Sequence, residues 1–158
     1  MVYDSLAFSV DNPSILWYTN LKEFVMDINF NTGLRSELKA AEYYVSEGYA
    51  LYWPMVTQSR CDFVVEKEGL FKKIQVKTGT WSKAGAYKYL QVRLKTRNRL
   101  STSYTEGDFD EIVFVSDDSL WVAPWRDISD LVSVCLLGTK PGYKPRSSKY
   151  DSATWRIK

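Results

Sequence analysis

The stretch RCDFVVEKEGLFKKIQVKT, residues 60–78, holds the residue types that phosphodiester hydrolysis can use without a histidine. If Glu68 and Gly69 form a two-residue hairpin turn, Lys67 pairs with Leu70, and counting outward sets Asp62 opposite Gln75. Both side chains then leave the same face of the sheet. Lys77, two residues past Gln75, joins that face, while Phe63, Val65, Ile74 and Val76 turn to the other. A carboxylate, an amide oxygen and an ammonium group, with Glu37 available from a preceding helix, meet the requirements of Mg²⁺-assisted phosphodiester cleavage. Mg²⁺ takes hard oxygen ligands and keeps several waters, so one or two carboxylates and the scissile phosphate suffice; Asp62, Gln75 and Glu37 are the expected ligands. The metal polarises the phosphate and lowers the pKa of an attacking water, and a lysine orients that water or offsets developing charge. Taken singly, Glu37 reads as an exposed helix acid, Asp62 as a strand-start residue, Gln75 as a solvated strand position and Lys77 as one base among many. Only their convergence on one hairpin and one helix singles them out.

The rest of the composition narrows the chemistry in the same direction. The chain has no histidine, which excludes Ser-His-Asp and Cys-His hydrolases, His-ligated zinc enzymes and nucleases with a histidine base. Cys61 and Cys135 are far apart and have no companion ligand, so no zinc box can be written, and both read as free thiols in a reducing compartment. The amino terminus lacks a basic segment followed by an apolar one, and no apolar run approaches the ~20 residues of a membrane span. A soluble, cytoplasmic protein with no membrane partner is expected. At 158 residues the chain fits one domain with one core.

Charge is distributed unevenly. Residues 69–105 carry nine bases (Lys72, Lys73, Lys77, Lys83, Lys88, Arg93, Lys95, Arg97, Arg99) and no acid, interleaved with Trp81, Tyr87, Tyr89 and Tyr104. Residues 106–138 reverse the sign, with eight acids against Arg126 alone, and 139–158 carry six bases against Asp151. An acid-free basic segment with aromatics reads as a polyanion surface, with double-stranded DNA the expected partner. In YLQVRLKTRNR, Arg93, Lys95, Arg97 and Arg99 alternate with core-facing Leu90, Val92 and Leu94, so one strand face is a row of cations. Such a ribbon either reads base edges in a major groove or contacts phosphates alone. Lys83 and Lys88 belong to the same surface, and Lys144 and Arg146, with Lys140 and Lys149, add backbone contacts from the tail.

Two helices are expected to precede the hairpin. One opens at Asn12-Pro13 with Trp17, Leu21, Phe24, Val25 and Ile28 on a stripe; the second starts after Asn31-Thr32, with Leu34, Leu38, Ala41 and Val45 at helical spacing and Gly48 as its stop. YALYWPMV, DFVVEK, FKKIQVKT, YKYLQVRLKT, DEIVFVS and SLWVAP have strand composition, and Pro54 and Pro124 mark strand ends. Helix followed by a largely antiparallel meander predicts an α/β or α+β sheet with helices packed on it. The sequence from 139 onward reads as an irregular basic arm.

The order GLRSELKAAEYYVSEGYALYWP, RCDFVV, IQVKT resembles the PD-(D/E)XK nuclease superfamily, whose core is a helix bearing Glu, then a hairpin bearing Asp and a Glu-x-Lys triplet. It looks particularly like the branch of cyanobacterial-type group I intron homing endonucleases, which carries Gln in place of the second acid. The similarity covers roughly 33–125, more weakly through DFDEIVFVSDDSLWVAPW. The resemblance implies a single nuclease domain with a restriction-endonuclease-like central mixed β-sheet flanked by helices. Within it, 1–32 would be an N-terminal helical extension, 33–125 the catalytic core and 139–158 a basic C-terminal arm. It also implies a site-specific Mg²⁺-dependent endonuclease cutting double-stranded DNA, prokaryotic or phage-encoded, with Glu37, Asp62, Gln75 and Lys77 as the catalytic set. Cutting both strands calls for two active sites, so a homo-oligomer, a dimer or tetramer, is expected. Cys61 stands where the family's proline would precede Asp62, and Gln75 leaves one fewer negative charge at the metal. The alternatives are a Holliday-junction resolvase-like, structure-selective nuclease and a non-catalytic DNA-binding domain.

Overall fold

The computed structural model describes residues 21–56, 59–94, 104–117, 119–140 and 150–157, the side chains of 21–30 excepted. The chain divides into two compact units, Met1–Asn31 and Thr32–Lys158. Helix α1, Leu21–Ser46, runs unbroken through Asn31, Thr32 and Gly33, where a boundary between two helices was expected. Cap-type residues at 31–32 mark a possible start but do not interrupt a helix whose backbone bonds continue on either side. The expected helix opening at Asn12-Pro13 begins outside the described residues.

The helix ends as its sequence dictates. Gly48 adopts φ 81°, which costs an L side chain 1–2 kcal/mol or so and glycine nothing. The Gly48 N–H donates to Val45 O (3.0 Å) and Tyr49 N–H to Tyr44 O (3.0 Å), and the Tyr44 and Tyr49 rings meet edge to face across this cap.

Eight strands follow: β1 Ala50–Tyr52, β2 Phe63–Lys67, β3 Leu70–Thr78, β4 Thr80–Ala84, β5 Tyr87–Arg93, β6 Glu111–Ser116, β7 Ser119–Pro124 and β8 Ser133–Gly138. They form a five-stranded sheet in the order β1-β2-β3-β6-β7 and a three-stranded sheet in the order β4-β5-β8. The sequence reading missed β4 and β8 and expected a single meander. The main sheet is mixed, as the resemblance implied: β3 and β6 pair in parallel, Gln75 beside Ile112, because the chain leaves the main sheet after Thr78, builds the β4–β5 hairpin, and returns.

Alternation assigns the faces. Phe63, Val65, Ile74, Val76, Val113, Val115 and Leu120 pack under Ala40, Ala41 and Tyr44 of α1. The opposite side chains, Ile112, Phe114, Trp121 and Ala123, pack against Leu90, Val92, Leu94, Val134 and Leu136. Strand β6 is thus covered on both faces, by the helix and by the second sheet, which is why EIVFVS is an almost continuous apolar run. Each such buried aliphatic contributes about 1.5–3 kcal/mol.

The helix face differs from the one expected. Of the expected stripe Ala41 is buried, but Leu34, Leu38 and Val45 are exposed, and Ser36, Ala40 and Tyr44 complete the buried face. Small residues let the helix axis approach the sheet, so alanine and serine occupy the contact and the larger aliphatics face outward. Tyr44 OH donates to Glu111 Oε2 (2.7 Å) and Lys72 Nζ to Glu111 Oε1 (2.7 Å), which ties the helix to β3 and β6. From residue 150 the expected arm is docked: Ser152–Trp155 forms a 3-10 turn, Ser152 and Trp155 are buried, and Arg156 bridges to Trp121.

Candidate functional site

The β2–β3 hairpin has the register read from the sequence. Lys67 lies opposite Leu70 and Phe63 opposite Ile74, and Glu68 (φ 54°) and Gly69 (φ 79°) make the tight turn. Asp62 N–H donates to Ile74 O (2.8 Å), which extends this pairing one residue and brings Asp62 to Gln75. β1 pairs only with Val64–Glu66, leaving the Asp62 end of β2 without a strand neighbour on that side among the described strands.

One oxygen of Asp62 is doubly held. Its Oδ2 accepts from Gln75 Nε2 at 2.5 Å and from the Val76 backbone N–H at 2.6 Å. Gln75 is 6% exposed, so its amide has no water to fall back on, and it also donates weakly to Val76 O. Burial pushes the Asp62 carboxyl above its ordinary value; the Val76 N–H, the Lys77 charge and the Gln75 amide pull the other way and do not fully offset it. Glu37, half-buried in the second half of α1, is raised by burial first and by the Asp62 charge second. The Asp62 charge thus reaches Glu37, and the Lys77 charge reaches Asp62. Asp62 is the common partner of the other three, Gln75 through a hydrogen bond and Glu37 and Lys77 through charge.

Two contacts at the site had no signature in the sequence. Lys77 Nζ lies over the ring of Tyr104, 5.3 Å from its centroid. Ser36 Oγ and Thr78 Oγ1 are hydrogen-bonded at 2.8 Å, joining the residue before Glu37 to the residue after Lys77. Neither pair follows a spacing rule, since the partners are brought together only by the tertiary fold.

A test of metal fit favours hard-cation binding. Among the described residues no three His, Cys, Asp or Glu side chains converge, so a purely carboxylate cage is absent. The groups available are instead the Asp62 and Glu37 carboxylates and the Gln75 amide, which faces Asp62 Oδ2 through Nε2 and would have to turn over to offer its oxygen to a cation. That set suits Mg²⁺, which binds through one or two carboxylates and retains waters. A concavity of about 480 Å³ lined by Lys72, Asp110, Glu111, Trp125 and Arg126 includes none of the four residues.

Of the cations expected to meet a polyanion, Lys83, Lys88 and Arg93 are exposed on β4 and β5, with Lys83 directly opposite Lys88. Leu90, Val92 and Leu94 are buried, as the alternation required. Arg93 shares a groove of about 380 Å³ with Thr80, Ser82, Gln91, Val132 and Ser133. Lys95, Arg97, Arg99, Lys144, Arg146 and Lys149 lie outside the described residues.

A mixed sheet with a helix on one face, and a carboxylate, amide and lysine on its central hairpin, defines a nuclease of the restriction-endonuclease-like class. The chain belongs to the PD-(D/E)XK endonuclease family, whose model matches residues 30–156. It is 37% identical over 113 residues to Protein 5.3 of Escherichia phage T7, covering 72% of this chain and 94% of that protein. Its fold matches that of a solved bacterial homing endonuclease, I-Ssp6803I, with a TM-score of 0.61 and 24% identity over 78% of this chain and 85% of that one. In place of helices on both faces, this chain covers one face of its main sheet with α1 and the other with the β4-β5-β8 sheet.

Proposed function

We propose that the chain is a Mg²⁺-dependent endodeoxyribonuclease that cuts double-stranded DNA at specific sites, with Glu37, Asp62, Gln75 and Lys77 as its catalytic set. The observation that carries this reading is the Asp62–Gln75–Val76 contact, in which a half-buried carboxylate is fixed through one oxygen within reach of the charge of Lys77 and itself acting on Glu37. Asp62, Glu37 and the Gln75 amide oxygen would hold the ion. When bound, Mg²⁺ polarises the scissile phosphate and activates water at neutral pH.

The chain's own groups do the positioning. The Val76 N–H fixes the orientation of Asp62, and the Gln75 amide counters its charge in the buried setting. Glu37, held above its ordinary pKa by burial and then by the Asp62 charge, is a stronger proton acceptor than an exposed acid. Lys77 keeps its N–H donors for a water or a phosphate oxygen. Lys83, Lys88 and Arg93, with the basic residues 95–99 and the tail residues Lys144 and Arg146, would contact the duplex.

A homo-oligomer would supply the second active site that double-strand cutting needs. Tyr52 and Phe71, 49% and 65% exposed with ring centroids 6.1 Å apart, offer an apolar surface for such contact. No described helix is long and apolar enough to cross a membrane, and the relative encoded by a phage favours action in a bacterial cytoplasm.

Plasmid nicking with and without Mg²⁺ tests the reading, with Lys77→Ala as the control. Wild type should nick only with the metal. Lys77→Ala should lose cutting while its DNA affinity stays within a few fold, because one cation among many contributes little to a salt-dependent interface. Binding without cutting in the wild type would leave a DNA-binding domain instead, and preference for a branched over a linear substrate would indicate a structure-selective nuclease.

A further inference from the structure

We infer that Tyr104 is a positioning residue for Lys77, holding its ammonium by the ring face so that all three N–H donors stay free for the reacting phosphate or water. The inference rests on the nuclease reading above and adds a residue to it. Lys77 Nζ stands 5.3 Å from the centre of the Tyr104 ring. A lysine has four rotatable side-chain bonds, and fixing them costs about 2 kcal/mol of rotamer entropy, so a lysine that must act at one point needs something to hold it. Ion pairs within 4.0 Å among the described residues do not include Lys77. Its charge pulls the Asp62 carboxyl downward.

A carboxylate partner would restrain the ammonium by occupying its donors, the groups the chemistry needs. An aromatic face restrains it by the quadrupole of the ring and leaves the N–H vectors available. Tyr104 is suited to this because it is itself held in place. Its ring meets Phe109 edge to face at 4.9 Å and Trp125 at 5.9 Å, and those two rings lie 4.6 Å apart. Phe109 and Trp125 are 2% and 3% exposed, and the Trp125 backbone N–H donates to Asp110 O at 2.9 Å. The ring under Lys77 is thus the outermost of three in a packed aromatic cluster, a rigid support for a flexible chain.

A packing role and a positioning role separate when the electronics of the ring change at nearly constant shape. Tyr104→Phe serves as the reference, and mono-, di- and trifluorinated phenylalanine at 104 progressively weaken the ring quadrupole. Single-turnover cutting at saturating DNA should fall step by step, by about three- to tenfold across the series, with KM for DNA unmoved. Tyr104→Leu should fall at least as far. A second readout needs no activity: in wild type and Tyr104→Phe the Lys77 ε-methylene protons should show an upfield ring-current shift in NMR spectra, lost in Tyr104→Leu. Thermal melts confirm that the fluorinated variants fold. Normal cutting with a rate flat across the series would overturn the positioning role alone. Absence of the ring-current shift would overturn the contact, and a wild-type protein that cuts no DNA with any divalent ion would overturn the nuclease reading and this role together.

Discussion

Replacing Gln75 with Glu should make the folded protein depend on a divalent cation, and the size of the effect follows from one distance. In the present structure Gln75 Nε2 stands 2.5 Å from Asp62 Oδ2, in a position where Gln75 is 6% exposed. Glutamate is isosteric with glutamine, so Gln75→Glu sets an oxygen where that nitrogen was. Two carboxylates about 3 Å apart repel by about 5 kcal/mol at an effective dielectric constant near 20. The charge-assisted hydrogen bond of the wild type, worth about 1.5–3 kcal/mol, is lost as well. The pair limits this cost by sharing one proton, as close carboxylates do. A net loss of about 2–4 kcal/mol at neutral pH without metal is expected, and at about 2–4 °C per kcal/mol for a domain of this size the melt should drop by several to about 15 °C. The sign with pH follows from the shared proton. The folded variant binds more protons than the unfolded chain at neutral pH, so its stability falls as pH rises and its deficit shrinks as pH is lowered toward the carboxylate range. Mg²⁺ should raise the melting temperature of Gln75→Glu more than that of the wild type, because the cation substitutes for the proton and binds the folded state alone. Thermal melts of both proteins across about pH 5–8, with and without Mg²⁺, measure all of this. Equal melts at every pH, or an equal Mg²⁺ shift in the two proteins, would refute the assignment of Asp62 and Gln75 to one metal-binding pair.

The remaining substitutions address stability at the same hairpin and beyond it. Asp62→Asn should abolish cutting yet raise the neutral-pH melt, because burial holds the Asp62 carboxyl above its unfolded value and its ionised form costs folding energy. That cost grows as pH rises from the unfolded toward the folded value and is constant above it, so the variant should also flatten the stability profile in acid, and a lower melt at neutral pH would refute the account. Gly79→Ala should destabilise by about 1–3 kcal/mol, since an added Cβ meets Leu90 Cδ1 at 2.9 Å and Ser116 Cβ at 3.3 Å in a packed region. Chemical denaturation checks it, and a midpoint equal to wild type would show that Leu90 moves aside freely.

The hairpin was legible because its information is local. Glu68-Gly69 fixes the turn, the turn fixes the register, and the register alone places Asp62 by Gln75. Strand β6 was legible from its unbroken apolar run, and Gly48 from its place at the end of the helix. What depended on distant partners was not. Strand β4, TWSKA, is exposed at all five positions, so no alternation marks it, and only its pairing with β5 makes it a strand. Strand β8 did carry a signal, Val134 and Leu136 alternating toward the core, which the reading of the acidic region passed over. The helix face was legible at Ala41 and misread elsewhere, because Leu34, Leu38 and Val45 are the more hydrophobic residues, whereas the sheet contact selected for small size at Ser36 and Ala40 as well. The parallel β3–β6 pair requires a crossover through the second sheet, and nothing within either strand records that.

Glutamine at position 75 has a physical consequence that an acid there would not. Buried carboxylates at a metal site repel one another when the ion is absent, and a small domain with a stability of order 5–15 kcal/mol has little margin for that. An amide can face Asp62 through its N–H when no cation is present and, by a half-turn about its terminal bond, through its oxygen when one is. The structure shows the first of these orientations, with Nε2 on Asp62 Oδ2. On the proposed function, the same side chain then neutralises the site in the metal-free protein and serves as a ligand in the loaded one. The cost is one negative charge fewer to attract Mg²⁺, which a DNA phosphate at the site would restore. Metal affinity should therefore be coupled to DNA binding in the wild type and uncoupled from it in Gln75→Glu, because only the wild type needs the substrate's charge to complete its ligand set.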